Sequence, residues 1–329
     1  MAWSREAELT RASIAFQAAL VELGIEVSLA LLRLFRDSEP SRIISGHSRW
    51  RDRAIVEVMG GRDDALELSI AYYRLSRALA IGRTASATAG GERPRLGDLR
   101  REFDSELNRI GRRTGTSLGG LYTSPLPDDG LRLQVDVIRE LAEPSAVKEA
   151  AEDAALASLE DQGVTNLKRR ILKAKDAVEA SKAVETSAAT QAAAGARHAM
   201  NGGRGRLYVA GRSDSRVIGW VRLSRTGTPC GFCAMLLSRG FTPASGLYTS
   251  EQRAGGPYEG PDRYHDNCQC YAQPVYGMSQ LDNDPRFALN REYAELWPVV
   301  TKGYSGKGAL NAWRRYITKQ QKALEVEAA

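Results

Sequence analysis

The hydrophobic positions of the N-terminal part recur at intervals of three and four residues, which is the repeat of an amphipathic helix. The first of these stripes predicts a helix that stops before Pro40, because proline disfavours helical backbone in the residue that precedes it. Its members are Phe16, Leu20, Leu23, Val27, Leu31 and Leu34. A second helical stretch is predicted over residues 50–80, with an interruption at Gly60-Gly61.

The next part of the chain alternates between irregular and helical composition. Residues 84–94 combine small side chains with glycine and proline, which predicts a linker or an exposed loop. Residues 98–112 predict a short helix. Residues 114–129 carry Gly119-Gly120, Pro125 and Pro127 and predict an irregular segment.

Residues 144–200 are rich in alanine, glutamate and lysine, which are good helix formers that supply little bulky core material. They predict a long, partly exposed helix that Gly163 divides and Gly202-Gly203 ends. Such a rod suits packing against other subunits, and an ordinary helix within a bundle is the simpler interpretation. The basic run 202–206 that follows is interpreted as a flexible linker with the capacity to touch phosphate.

Beyond this run the pattern changes from helical to mixed. Residues 217–222 predict a strand, and residues 230–237 a short helix. Residues 241–260 are rich in glycine, proline, serine and threonine and predict an excursion. Residues 271–276 predict an extended segment, and Pro274 places it at a sheet edge because proline donates no ladder hydrogen bond.

Two helices are predicted to close the chain. Asp284 followed by Pro285 is a helix start signal, an N-cap residue before proline at the first helical position. Leu289, Tyr293 and Leu296 supply the apolar stripe of that helix. Ser305 is the predicted start of the last helix, whose apolar residues are Leu310, Trp313 and Ile317.

Composition and charge narrow the function only slightly. The chain has 329 residues and a net charge of +6, a mild basic bias that permits contact with nucleic acid without implying it. The first residues lack the basic-then-apolar build of a secretory signal, and no stretch is long and apolar enough to span a bilayer. We therefore expect a protein made in a reducing cytoplasm, where structural disulfides are unfavoured.

All four cysteines fall in one short region. The pattern is Cys230-Gly-Phe-Cys233, a long gap, and then His265-Asp-Asn-Cys268-Gln-Cys270. Zinc takes four sulfur or nitrogen ligands in a tetrahedron, and two close pairs of cysteines supply them. The cluster predicts one structural zinc ion held by the four cysteines, with His265 as an alternative or outer-shell ligand.

Disulfides, a redox pair, inert thiols and a deaminase site fit the cluster less well than zinc does. Disulfides require an oxidising setting, and a bond within Cys-x-Cys has poor geometry. A thioredoxin-like pair requires a βαβ context that the flanks do not supply, and inert buried thiols do not explain the clustering. Pro229-Cys230-x-x-Cys233 matches half of the zinc nucleobase deaminase motif, but the other half, His-x-Glu, follows neither His47 nor His198.

Other catalytic motifs are not evident in the sequence. It contains three histidines, no nucleophile elbow and no phosphate-binding loop. His47 and His198 are interpreted as structural or surface groups. His265 is a candidate general base beside Arg222 or Asp266, against the simpler interpretation of a spare or supporting zinc ligand.

The run 219–240, from Gly-Trp-Val-Arg to Cys-Gly-Phe-Cys, together with the His-x-x-Cys-x-Cys at 265–270, resembles the phage Mu F-like (MuF) minor head proteins of actinobacterial tailed phages. The resemblance is specific over residues 215–275 and extends to about residue 316. It implies a minor capsid component that acts in head assembly near the portal. Related proteins are labelled capsid maturation proteases, but this sequence offers no nucleophile with a matching base.

The predicted fold class is α+β: a mainly helical N-terminal region, a small α+β zinc-knuckle module and C-terminal helices. Four regions are expected, at 1–90, 98–200, 205–278 and 279–329. The favoured function is structural, in the interior of the phage head, with portal, scaffold or major capsid protein as partners. A maturation protease is the alternative.

A weaker alternative is a zinc module that contacts packaged DNA. The residues predicted to contact nucleic acid are Arg222, Arg225 and Arg263.

Overall fold

The computed structural model describes residues 4–46, 49–122, 130–224, 229–243 and 264–327. Helices dominate. They are α1 (Arg5–Arg36), α2 (Pro40–Ile44), α3 (Trp50–Ile81), α4 (Leu96–Thr114), α5 (Ser145–Leu159), α6 (Asn166–Ile171), α7 (Ala177–Ser213), α8 (Gly231–Leu237), α9 (Ser279–Asn283), α10 (Ala288–Val300) and α11 (Gly306–Glu327). The strands are β1 (Arg83–Ser86), β2 (Gln134–Val137), β3 (Gly219–Leu223), β4 (Phe241–Pro243) and β5 (Tyr271–Val275). The small sheets among the helices support the α+β class.

The first predicted helix is confirmed as α1. The Ser4 hydroxyl accepts a hydrogen bond from the Ala7 amide at 3.2 Å and caps the helix. The predicted stripe is buried along its length except for Leu34, which is partly buried. It packs against α3 and α7, and these three helices form the main hydrophobic core.

The predicted interruption at Gly60-Gly61 is wrong, because α3 runs unbroken from Trp50 to Ile81. A Cβ atom at Gly61 would lie 2.6 Å from Val27 Cγ2 and 3.2 Å from Ala199 Cβ. The glycine therefore permits a close approach of three helices and does not end one.

The predicted end of the long helix at Gly202-Gly203 is also wrong. The helix α7 continues through both glycines to Ser213, so the run 202–206 is not a linker. A Cβ at Gly202 would lie 2.5 Å from the Arg62 carbonyl oxygen, and one at Gly203 would lie 2.6 Å from the Ala65 carbonyl oxygen. The C-terminal two thirds of α7 are largely buried between α1 and α3 of the same chain, contrary to the partly exposed rod that the composition predicts.

The break in this part of the chain does not fall at Gly163. The chain passes from α5 through a π-helical turn, Glu160–Thr165, directly into α6, and the interruption falls at 172–176. A Cβ at Gly163 would lie 2.9 Å from the Trp50 ring, so this glycine is also explained by close packing.

The predicted loop at 84–94 is wrong at its start. Residues 83–86 form β1, which pairs in parallel with β2. Thr84 and Ala85 are fully buried, and Arg77 donates to the Thr84 carbonyl oxygen at 3.0 Å. The helix predicted at 98–112 is confirmed as α4. The irregular segment is described only to Tyr122, where it contains the 3₁₀ turn Gly119–Leu121.

The C-terminal elements agree with the patterns. The strand, the short helix after Cys230 and the extended segment are β3, α8 and β5, and β5 lies at the edge of the antiparallel sheet β4-β3-β5. Asp284 accepts a hydrogen bond from the Arg286 amide at 2.9 Å, and the chain then enters α10 through a 3₁₀ turn. The predicted excursion is described only over Phe241–Pro243.

None of the helices in the described ranges is long and apolar enough to cross a membrane. The division of the chain into four regions stays a prediction.

Candidate metal centre

The first cysteine pair is placed by the start of α8. Cys230 is the N-cap residue, and its sulfur accepts a hydrogen bond from the Cys233 amide at 3.4 Å. This cap turns both sulfur atoms toward the same side of the first helical turn. Cys230 is exposed and Cys233 is buried.

The second group of ligands is placed by a tight turn. The Cys268 amide donates to the His265 carbonyl oxygen at 3.0 Å, and Asn267 has a φ of 63°. Asparagine tolerates this left-handed conformation better than most residues, which explains an asparagine at this position before Cys268. The turn brings His265 and Cys268 together. Cys270 is the residue immediately before β5.

The five side chains form two overlapping triads that share Cys233. In one, the His265 Nε2 atom lies 3.1 Å from Cys230 Sγ and 3.6 Å from Cys233 Sγ. In the other, the sulfur atoms of Cys233, Cys268 and Cys270 lie 3.1 to 3.4 Å apart. A tetrahedral ion with bonds of about 2.3 Å separates its sulfur ligands by about 3.8 Å, so a small expansion of the triad of Cys233, Cys268 and Cys270 would accommodate it. The fourth ligand, from the other triad, would have to move closer to Cys268 and Cys270. The cluster could therefore bind a metal ion.

Disulfides do not occur among these cysteines, all four of which are described and free. The sulfur separations of 3.1 Å and more are far above the roughly 2.05 Å of a disulfide bond.

The electrostatics favour the thiolate, which is the form that binds metals, at Cys230 and Cys270, whereas hydrogen bonds with the neighbouring cysteines raise the pKa of Cys233 and, together with burial, that of Cys268. A hydrogen bond from the Cys233 thiol lowers the pKa of Cys230 to about 4. Burial opposes ionisation of Cys270, but hydrogen bonds from Cys233 and Cys268 and the charge of Arg222 hold its pKa well below its usual range. The pKa of His265 is raised, chiefly by its hydrogen bond with Cys230.

Of the three arginines predicted to contact nucleic acid, one lies in the described part of the chain. Arg222 is 4% exposed, and its Nη1 atom donates to Cys270 Sγ at 3.1 Å, so it faces the cysteines and not the solvent. Its prediction as a DNA contact is wrong, because the side chain is buried against Cys270. Arg225 and Arg263 lie outside the described residues.

The two histidines in the described part of the chain have different surroundings. His265 faces the cysteines and not Arg222, and its Nδ1 atom lies 2.7 Å from the Asp266 carbonyl oxygen. His198 is buried within α7, with its Nε2 atom 2.8 Å from the Ser158 hydroxyl on α5. His47 is outside the described residues.

Two residues that sequence reasoning missed stand beside the cluster. The Tyr264 ring is contacted by Arg204 from α7 and Arg222 from β3, each with its guanidinium carbon 4.6 Å from the ring centroid. Arg204 also donates to the Cys268 carbonyl oxygen. The sequence offered no signal for Arg204, because its run of glycines and arginines resembles a linker.

The helical core holds the cysteine segment from the other side. Gln17 Nε2 on α1 donates to the Gln269 carbonyl oxygen at 2.9 Å. The next side chain, Tyr271, enters the core, where its hydroxyl lies 2.5 Å from Ser13 Oγ and its ring packs edge-on against Phe16. The position of the cysteines therefore depends on α1 as well as on the sheet.

The last helix covers the site. A Cβ at Gly231 would lie 2.8 Å from Arg314 Cγ, so the glycine between the first two cysteines lets α11 pack closely over α8. The fully buried Trp313 ring belongs to the same hydrophobic cluster as Cys233 and Cys268.

Comparison with known proteins gives one match. The model of the VG15 protein family, a family of phage proteins, matches residues 136–296, just under half of the chain. No curated protein and no solved structure matches the chain. The matched interval contains the whole cysteine and histidine cluster. This match indicates a phage protein.

Proposed function

We propose that the chain is a minor head protein that acts in phage head morphogenesis near the portal and carries a structural zinc ion. The observation that carries the proposal is that the cysteine and histidine cluster lies inside the interval matched by the phage family. The resemblance of this segment to MuF minor head proteins supports the same role. The proposed place of action is the interior of the head.

The zinc ion is proposed as structural because the candidate ligands outnumber the four positions of a tetrahedral shell and leave none for a reactive water. When bound, it would hold the start of α8 against the segment before β5. Metal analysis of protein purified under reducing conditions without chelator tests this part. We expect close to one zinc per chain, and an absence of bound metal would contradict it.

The head role is tested by assembly. Tagged chain would be co-expressed with major capsid, scaffold and portal proteins, and heads would be isolated by sedimentation. We expect the chain in heads at a copy number far below that of the major capsid protein, and its loss from heads assembled without portal. Absence of the chain from purified virions would contradict the head role, whatever the zinc content.

A second candidate function is contact with packaged DNA, now placed on α11 and not on Arg222. The solvent-exposed residues of this helix, the α11 basic face, include five cations and no acidic residue over residues 306–322. They are Lys307, Arg314, Arg315, Lys319 and Lys322. In the described part of the chain none of them forms an ion pair, whereas most buried arginines do. The opposite side of the helix is buried through Ala309, Trp313 and Ile317.

This candidate makes a quantitative prediction. Five phosphate contacts give a slope of log affinity against log salt of about −4.5, so affinity for duplex DNA falls about 500-fold between 50 and 200 mM salt. Arg315→Gln with Lys319→Gln removes two contacts and makes the slope shallower by about 1.8. The matched control is Lys168→Gln with Lys173→Gln, exposed cations on and just after α6, and it should leave the slope unchanged. Equal effects of the two pairs would exclude a specific role of the α11 basic face.

The maturation-protease alternative has its own test. Purified chain would be incubated with the major capsid protein, alongside His265→Ala and Ser158→Ala variants that retain their metal. The Ser158 variant is included because its hydroxyl contacts His198. Cleavage that is lost in either variant would favour the enzyme over the structural role.

A further inference from the structure

Two buried arginines stand against the candidate metal centre. Arg204 is 1% exposed and Arg222 is 4% exposed, and their guanidinium groups lie over the Tyr264 ring. Arg222 Nη1 donates to Cys270 Sγ at 3.1 Å. Arg204 donates to the backbone carbonyl oxygen of Cys268, which is two residues before Cys270 in the chain. Both cations therefore adjoin the second cysteine pair.

Neither guanidinium meets a carboxylate within the described ranges. The other buried arginines show the contrast, because Arg77 pairs with Asp214, Arg100 with Glu8 and Arg286 with Asp284. In addition, Arg222 Nε and the Nε and Nη1 atoms of Arg204 are buried without a hydrogen-bond partner. A buried charge costs several kcal/mol unless an opposite charge accompanies it. The cysteine sulfurs are the negative groups that the structure places beside these cations.

The charge of the two arginines decides between the two possible metal shells. A divalent ion with four thiolates carries a net charge of −2, and one with three thiolates and a neutral imidazole carries −1. Two guanidinium groups supply +2. Only the four-thiolate shell makes the buried cluster electrically neutral.

We propose that Arg204 and Arg222 are the counter-charges of a four-thiolate metal shell formed by Cys230, Cys233, Cys268 and Cys270. They act as positioning residues that touch the ligands and not the ion. This inference rests on the proposed zinc site and specifies its ligands. It assigns His265 to the outside of the shell.

The surroundings of His265 are compatible with a place outside the shell. Its Nδ1 atom faces the Asp266 carbonyl oxygen at 2.7 Å, and its Nε2 atom faces Cys230 Sγ at 3.1 Å. A backbone carbonyl at Nδ1 also supports histidines that bind a metal through Nε2. The charge of the two arginines, and not the geometry of His265, therefore selects the four-thiolate shell.

X-ray absorption at the zinc edge of the full-length protein, loaded with one equivalent of Zn²⁺, tests the shell directly. We expect four sulfur neighbours at about 2.3 Å in the wild type and an unchanged spectrum in His265→Ala. Cys230→Ser should lose one sulfur. A nitrogen neighbour at about 2.0 to 2.1 Å that disappears in His265→Ala would overturn the four-thiolate shell.

Chelator competition tests the arginine. Arg222→Met keeps the bulk of the side chain and removes its charge, and we expect zinc affinity to fall about 10- to 100-fold, as for other residues that support metal ligands. Arg222→Lys should recover most of the loss. An Arg222→Met variant that binds zinc as tightly as the wild type would overturn the inference. If that variant does not fold, the absorption spectra of the wild type and His265→Ala decide alone.

These outcomes separate the inference from the proposed function. A shell of three sulfurs and one nitrogen overturns the inference and leaves the structural zinc ion in place. Protein without any metal overturns both the inference and the zinc half of the proposed function. Failure of the chain to enter heads leaves the coordination result unaffected.

Discussion

A close approach of two helices predicts a large effect of a single methyl group. In Gly203→Ala the new Cβ would lie 2.5 Å from Ser69 Oγ and 2.6 Å from the Ala65 carbonyl oxygen, both on α3, and 3.1 Å from Leu20 Cδ2 on α1. Two of these contacts are too short to persist, and one involves backbone, so α3 and α7 must separate. Overpacking of this kind costs about 1 to 3 kcal/mol or more. The helix-propensity gain of alanine over glycine returns about 0.5 to 1 kcal/mol.

We therefore expect Gly203→Ala to lower the free energy of unfolding by about 1 to 2 kcal/mol. With a urea slope of about 3 kcal/mol/M, the midpoint falls by about 0.3 to 0.7 M. Gly205→Ala is the matched control, because it lies in the same helix and its Cβ would meet no atom within 4 Å. It should raise the stability by about 0.5 to 1 kcal/mol. Urea unfolding followed by circular dichroism measures both, and stabilisation by both alanines would refute the close packing of α7 on α3.

Three further predictions concern other parts of the molecule. A hydrogen bond from Arg83 holds the pKa of Asp136 below its usual range. Burial raises the pKa of Asp214, but hydrogen bonds from Arg77 and its neighbours outweigh burial and lower it. The two ionised carboxylates therefore stabilise the fold above about pH 4, and this stabilisation is lost as the pH falls through their folded pKa values. Acid titration followed by circular dichroism should show this loss below about pH 4, and stability that rises on acidification would contradict it. Removal of metal by a chelator under reducing conditions should shift the fluorescence emission of the buried Trp313 to longer wavelength, and added zinc should reverse the shift. Unchanged emission after confirmed loss of the metal would contradict the packing of α11 on the site. Tyr271→Phe should cost about 1 to 2 kcal/mol in urea unfolding, because it removes the buried hydrogen bond with Ser13 and keeps the ring, whereas a neutral result would show that this bond contributes nothing net.

Local signals in the sequence were sufficient for most elements. The stripe of α1, the proline at its end and the Asp284-Pro285 start of the turn before α10 each act through neighbours a few residues away, so the sequence pattern contains the whole cause. The cysteine pattern likewise predicted the candidate metal ligands, because a helix start places the first pair and a tight turn places the second.

The errors arose where the partner of a residue is distant in sequence. Gly61 and Gly203 are typical of helix ends when only their neighbours are considered, but their absent side chains make room for helices more than 30 residues away. Arginines such as Arg204 and Arg222 are typical of phosphate-binding sites when only the sequence is considered. The fold shows that Arg204 faces Tyr264 and that Arg222 faces both Tyr264 and Cys270. Tertiary packing thus changed the meaning of residues whose local preference was assigned correctly.

The contact between Ser13 and Tyr271 joins residues that are 258 positions apart. At roughly 5 to 20 residues per second, a ribosome needs on the order of ten to fifty seconds to synthesise the chain between them. Throughout that interval Phe16 on α1 has the stacked ring of Tyr72 but lacks the edge-on ring of Tyr271 that packs against it in the finished protein. Any chain truncated before residue 271 keeps this apolar surface permanently, so incomplete products should be the forms that chaperones and proteases capture.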